Sequence, residues 1–282
     1  MWSNCNQTTV TEKSDTQRHL GLHVVYEGTH FQGYQVQPMQ RTVQLHLEMA
    51  LAKVLGHVCP TICAGRTDAG VHARAQFVHF QTHRAFPLER LPLALQRHLP
   101  ADMAVLSAHE LPPDFHARFS ALSRVYRYFL WPETRVLPFN SRYCWHYPYA
   151  FDRDLLSELW PQLLGCHNFE AFCKSGSYRS HFVIEIEQAC LHTQANGLIT
   201  LEIQAQSFLY NMVRTLVGTV MDIARGRFPA ERLAQILNSI DRSLVGLTAP
   251  PQGLFLWNVL YPAQFGLDLN AEAERQSLFF SP

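Results

Sequence analysis

Residues 63–80 read CAGRTDAGVHARAQFVHF. Gly65 and Gly70 bracket an arginine, a threonine and an aspartate, and the chain then enters QFVHF, whose aromatic and β-branched content suits a strand. The glycines permit a tight turn, and the strand that follows anchors it to a sheet. An aspartate at such a place has two uses. It bonds its own backbone as an Asx-turn, or it acts as base or nucleophile, with Arg66 or Arg214 as the guanidinium that favours its ionisation. Spacing alone leaves both open.

On the N-terminal side, LGLHVVY at 20–26 suits a strand, and EGTHFQGYQ is a glycine-punctuated loop. Thr42 is placed to cap a helix that buries Val43, Leu47, Ala50, Leu51 and Val54 and ends at Gly56. A helical segment around LERLPLALQRHL and a strand at MAVLSAHEL follow. Pro112-Pro113 then marks a lobe boundary. Beyond it, SRVYRYFLW alternates, with Arg124, Tyr126 and Tyr128 on one face and Val125, Arg127 and Phe129 on the other. A helix begins near Asp152, with Pro161 shortening it. HFVIEIEQACLH and GLITLEIQAQ pair across an Asn196-Gly197 turn. FLYNMVRTLVGTVMDIARG is the clearest helix, its stripe formed by Met212, Val213, Leu216, Val217, Val220 and Ile223, with Arg214 beside it. A short helix, ERLAQILNSI, and a last strand, GLFLWNVLYP, complete the order. Strands and helices mix without a regular βαβ repeat, which gives an α+β class in two lobes. The expected divisions are a loose extension at 1–19, an N-terminal lobe at 20–113, a C-terminal lobe at 114–265 and a tail at 266–282.

With 282 residues, 47% of them hydrophobic and 16% charged, the chain is long and apolar enough for a substantial core. No run approaches the ~20 apolar residues of a membrane helix. The first 19 residues lack the apolar stretch of a secretion signal. Both point to a cytoplasmic protein with no membrane partner. Seven cysteines in irregular spacing form no CxxC pair, so neither a zinc ribbon nor any other metal site is expected. Lys+Arg and Asp+Glu are 23 each, which argues against coating nucleic acid by bulk charge. A local basic cleft is still available from Arg118, Arg124, Arg127, Arg135 and Arg142, or from Arg214, Arg225 and Arg227. There is no P-loop, GxGxxG, HExxH or GxSxG motif, so nucleotide-cofactor and serine-hydrolase chemistries lose support.

Several blocks in order carry a resemblance. YEGTHFQGYQVQ at 26–37, TVQLHLEMAL, GRTDAGVHA at 65–73, FHARFSALSRVYRYFL, FLYNMVRTLVG and GLFLWNVLYP are similar to the tRNA pseudouridine synthase A family from about Leu20 to Pro262. Glu27, Tyr34, Ala75 and Gln96 depart from the family's usual aspartate, tryptophan, glycine and asparagine. The resemblance implies a pseudouridine synthase fold, with a mixed or antiparallel sheet packed by helices in each lobe and the active-site cleft between them. It implies an isomerase that converts uridine to pseudouridine at positions 38, 39 and 40 of the tRNA anticodon stem-loop, as a homodimer and without a cofactor. By position, Asp68 matches the catalytic aspartate and Arg66 an arginine that displaces and holds the target nucleotide. Tyr126 matches the tyrosine that packs on the base, and Arg214 the partner of the catalytic carboxylate. Asp68 then attacks C1′, attacks the base, or assists a glycal route, and the residues leave all three open. Arg118, Arg124, Arg127 and Arg142 are candidate phosphate contacts. The competing reading is a catalytically silent tRNA-binding or folding protein of the same fold.

Overall fold

The computed structural model describes residues 17–135, 138, 140–174 and 181–276. Its N-terminal part consists of β1 (Arg18–Tyr26), α1 (Val43–Leu55), β2 (Ile62–Cys63), β3 (His72–Thr82), α2 (Leu91–Gln96) and β4 (Met103–Glu110). There follow β5 (Ser123–Trp131), β6 (Trp145–His146), α3 (Arg153–Leu159), β7 (Gly165–Asn168), β8 (Val183–Thr193), β9 (Ile199–Ala205), α4 (Met212–Ala224), α5 (Arg232–Ser239), β10 (Leu254–Leu260) and α6 (Leu269–Gln276). The α+β class stands. The first 16 residues of the expected extension lie outside the described residues, and its last two already belong to β1.

The family resemblance implies a sheet in each lobe. Here both sets of strands join in one ten-stranded sheet of order β4-β1-β3-β10-β5-β9-β8-β7, with β2 on β3 and β6 on β5. The join is β10. It runs parallel to β3 through Phe255↔His72 and Leu256↔Ala73, and antiparallel to β5 through Leu256↔Tyr126. Tyr126 in turn faces Ile203 of β9. Ala73, Leu256, Tyr126 and Ile203 therefore stand level across four strands, which brings the turn before β3 beside Tyr126.

Period-two alternation divides the sheet's two faces. Leu20, Leu22 and Val24 of β1 and Tyr126 and Tyr128 of β5 share one buried cluster with the apolar sides of α1, α3 and α4. On the other face, Val125, Phe129 and Trp131 meet Phe255 and Trp257. α4 is apolar nearly all round and correspondingly buried from Thr215 to Ala224. It starts at Met212, later than the periodicity suggests, because Asn211 adopts a left-handed φ of 62 in the turn before it. Thr42 occupies the N-cap of α1 with extended backbone, but its hydroxyl caps nothing, whereas Gly56 closes the helix at φ 83 as expected.

The segment assigned to a tail, 266–282, is a correction as far as residue 276. Leu269 and Ala273 are buried, and Glu272 of α6 reaches His23 at 2.9 Å, His109 at 3.2 Å and the Ser107 hydroxyl. Burial alone pushes the Glu272 carboxyl up, but bonds from His109, His23 and Ser107 prevail and hold it well below the usual glutamate range. A carboxyl so depressed stabilises the fold above its ordinary value of 4.5, and that contribution fades as pH falls. Glu272→Gln is expected to cost about 2 kcal/mol at pH 7, the scale of hydrogen bonds to a charged group. Denaturant curves at pH 7 and pH 4 check this: equal midpoints for variant and wild type at pH 7 would contradict the network.

Candidate active site

The turn carrying Asp68 is fixed from three sides. Ala64 continues the ladder by donating to Phe77 O at 2.8 Å, and the Gln76 side chain spans Gly65, donating to its carbonyl at 2.6 Å and accepting from its amide at 3.4 Å. The Tyr26 and Thr67 hydroxyls bond at 2.7 Å. The loop after β1 lies along the turn: Tyr34 N–H donates to Thr67 O at 3.0 Å, and Gly70 N–H to Phe31 O at 3.2 Å. This approach needs Gly33, which has φ +88 and where a β-carbon would lie 2.8 Å from Thr67 O. Gly33→Ala is expected to cost about 1–3 kcal/mol of stability and to displace the turn. Melting curves check the first part and turnover the second.

The Asp68 carboxylate accepts no hydrogen bond from its own turn among the described residues, so the Asx-turn reading fails. Its partner is Arg214, with Nη1 3.8 Å from Oδ2. The two side chains are 19% and 15% exposed, a half-open position at the rim of the core. Arg214 is itself held, with Nε donating to Ala249 O at 2.8 Å and Nη1 to Asn211 Oδ1 at 3.4 Å. Burial pushes the Asp68 carboxyl above its ordinary value, and the pull of Arg214 and Lys174 only partly offsets this. Arg214 thus favours the ionised form of Asp68, by less than burial opposes it. Lys174 gave no signal in the sequence. It follows a 3-10 turn (Glu170–Phe172), donates its amide to Tyr210 O at 3.0 Å, and sets its ammonium 5.2 Å from the centre of the Tyr210 ring.

Tyr126 is 8% exposed, meets Phe208 edge-on at 5.0 Å between ring centres, and directs its hydroxyl toward Gly65. Burial, then the Asp68 charge, raises its pKa far above neutral pH, so the phenol stays protonated. Phe208 opens the segment FLYNMVRTLVG, where nothing in the residue pattern marks it as a neighbour of Tyr126. Arg66 is exposed on the turn, and with Arg118 it acts on the thiol of Cys63, which burial nonetheless pushes up to about 12. Arg66 and Arg118 thus stand near the turn, Arg118 with its guanidinium over Phe119 at 5.5 Å.

The other arginines are placed differently. Arg124 is buried and its donors face main-chain carbonyls, so it is not available to a phosphate. Arg127 lies on the opposite face of the sheet, paired with Glu202 and 4.3 Å above Trp257. Arg142 lines an open surface cavity with Glu27, His30, Arg41, Asp102 and Tyr143, which includes none of Asp68, Tyr126 or Arg214. Alternation separated the faces correctly but could not say which cations were buried. Among the described residues no cluster of His, Cys, Asp or Glu is arranged to hold a metal, and no helix is long and apolar enough to cross a membrane.

The model of one protein family, described as tRNA pseudouridine synthase, matches residues 23–120 and 160–262. The chain belongs to the tRNA pseudouridine synthase family. Both matched segments contribute to the site, the first with Asp68 and the second with Arg214. The chain is 42% identical over 240 residues to the tRNA pseudouridine synthase A of Bacillus pumilus, covering 84% of this chain and 97% of that protein. It is 43% identical over 238 residues to the enzyme of the same name from Halalkalibacterium halodurans, covering 84% and 90%. With that of Thermosynechococcus vestitus it shares 40% over 270 residues, covering 95% of each. By its family the protein is an isomerase.

Proposed function

We propose that the protein isomerises uridines 38, 39 and 40 of the tRNA anticodon stem-loop to pseudouridine, with Asp68 as nucleophile, and that it works as a cytoplasmic homodimer. Family membership carries the coarser part, pseudouridine formation in tRNA. The observation that supports the roles is the meeting of Asp68, Arg214 and Tyr126, from three distant parts of the chain, at one sheet seam.

The chemistry asks for little else. The N1–C1′ bond breaks, the uracil turns, and C5 joins C1′, with no atom gained or lost. A base in a stem cannot turn in place, and its extrusion costs a few kcal/mol, recovered by stacking and polar contacts. Arg66, exposed at the lip of the turn, supports extrusion, and the Tyr126 ring is the platform for the flipped base. Asp68 supplies the carboxylate, with Arg214 and Lys174 favouring its ionised form. Arg118 remains a phosphate contact for this site. A chain of zero net charge gains a broader basic surface by pairing two copies, which supports the dimer.

Transcripts in which uridine is retained at only one of positions 38, 39 and 40 test the site choice. Each is expected to be modified, and a transcript with cytidine at all three is not. Modification elsewhere would refute the positions, and binding without any modification would favour the silent RNA-binding reading. Sedimentation across salt concentrations tests the assembly: a salt-independent monomer that still modifies tRNA would refute the dimer.

A further inference from the structure

Arg124 is 6% exposed, and all its donors are occupied. Nε and Nη2 donate to Ala64 O at 3.2 and 2.7 Å. Nη1 donates to Gln206 O at 2.6 Å and to Ala121 O at 3.5 Å, and Nη2 also reaches Arg118 O. Five contacts thus match the five N–H groups of a guanidinium. No carboxylate among the described residues pairs with it. Burying a cation without a counter-ion is costly. Burial does lower the pKa of this group, but arginine retains its proton in proteins.

The carbonyls it gathers have different origins. Ala64 leads into the turn that carries Asp68. Arg118 and Ala121 belong to the connection before β5, and Gln206 to the connection from β9 into α4, which carries Arg214. The guanidinium is therefore a rigid fork at the point where the turn and the approach to α4 come together. A lysine ammonium, compact and with three donors, cannot span the same carbonyls.

We propose that Arg124 is a positioning residue which, by bonding the main chain of Ala64 and Gln206 at once, sets the separation of Asp68 from Arg214. This rests on the pseudouridine-forming reading of the site. The charged and titratable groups facing Asp68 are Arg214 of α4, Lys174 beyond the 3-10 turn and the Tyr126 hydroxyl of β5, with Arg66 on the turn itself. Of these, the contact set by Arg124 is that with Arg214. If it lengthens, the carboxylate loses part of its attraction and ionises at higher pH.

Single-turnover rates and tRNA affinity of Arg124→Lys and Arg124→Gln, measured across pH and ten degrees below each protein's own melting midpoint, provide the test. The saturating rate is expected to fall roughly 10- to 100-fold, the scale for small misplacement of a reacting group. Affinity for tRNA should be unchanged, and the acid limb of the rate should move to higher pH. Arg124→Gln keeps fewer donors and should lose more. A merely structural role would lower the melting midpoint without moving the acid limb, and that result would overturn the proposal. So would weaker tRNA binding with an intact saturating rate, which is the mark of a phosphate contact. An inactive wild type would instead refute the function on which the proposal rests.

Discussion

Asp68→Asn is expected to reduce pseudouridine formation by at least about 1,000-fold, as loss of a nucleophile does, while leaving the melting temperature unchanged or raising it. The second half follows from the direction of the Asp68 shift. In the unfolded chain the carboxyl ionises near 3.8, and in the fold burial moves that point upward. A group raised in this way contributes its full stability below its unfolded value, and loses it as pH rises through the folded one. At neutral pH the fold thus holds a carboxylate it would rather protonate, and the amide removes that penalty. The same direction governs activity, which should decline on acidification at a pH above the ordinary aspartate range. Melting curves and turnover of the two proteins check both, and a clear loss of melting temperature in the variant would mean that Asp68 is structural.

Arg214→Met is expected to lower the saturating rate about 100-fold, taking the scale for lost electrostatic support of a reacting group. It should also move the acid limb of the rate to higher pH. Arg214 is the largest opposing influence on the Asp68 carboxyl, with Lys174 the smaller, so its removal leaves burial less opposed. Arg214→Lys retains a charge but not the fork that reaches Ala249 and Asn211, and should fall between. Lys174→Met should shift the limb in the same direction by less. A pH profile of Arg214→Met that overlays the wild type would separate this cation from the carboxylate.

How much of this was legible in the sequence depends on the kind of signal. Alternation in SRVYRYFLW placed Tyr126 and Arg127 on opposite faces, and the strand and helix order largely held. The blocks around Asp68, Tyr126 and Arg214 led to residues that do converge. Three features had no sequence signal. The insertion of β10 between β3 and β5 pairs Phe255 with His72, far apart in the chain, which local periodicity does not report. α6 has only Leu269 and Ala273 as a buried pair, and depends on Glu272 bonding to His23 and His109, so it read as a polar tail. Arg124 is solvated by main-chain carbonyls rather than paired with a carboxylate, and no residue type announces that in advance. The same blindness made a surface phosphate contact of a buried cation.

Tritium release from tRNA carrying 5-tritiated uridine, compared between wild type and Asp68→Asn at matched tRNA occupancy, tests the role of this turn most directly. C5 loses its hydrogen only when it joins C1′, so the label reports the new bond. Release by the wild type and none by the variant, with both folded and both binding tRNA, is the expected result. Equal release from the two proteins, or none from either, would contradict it.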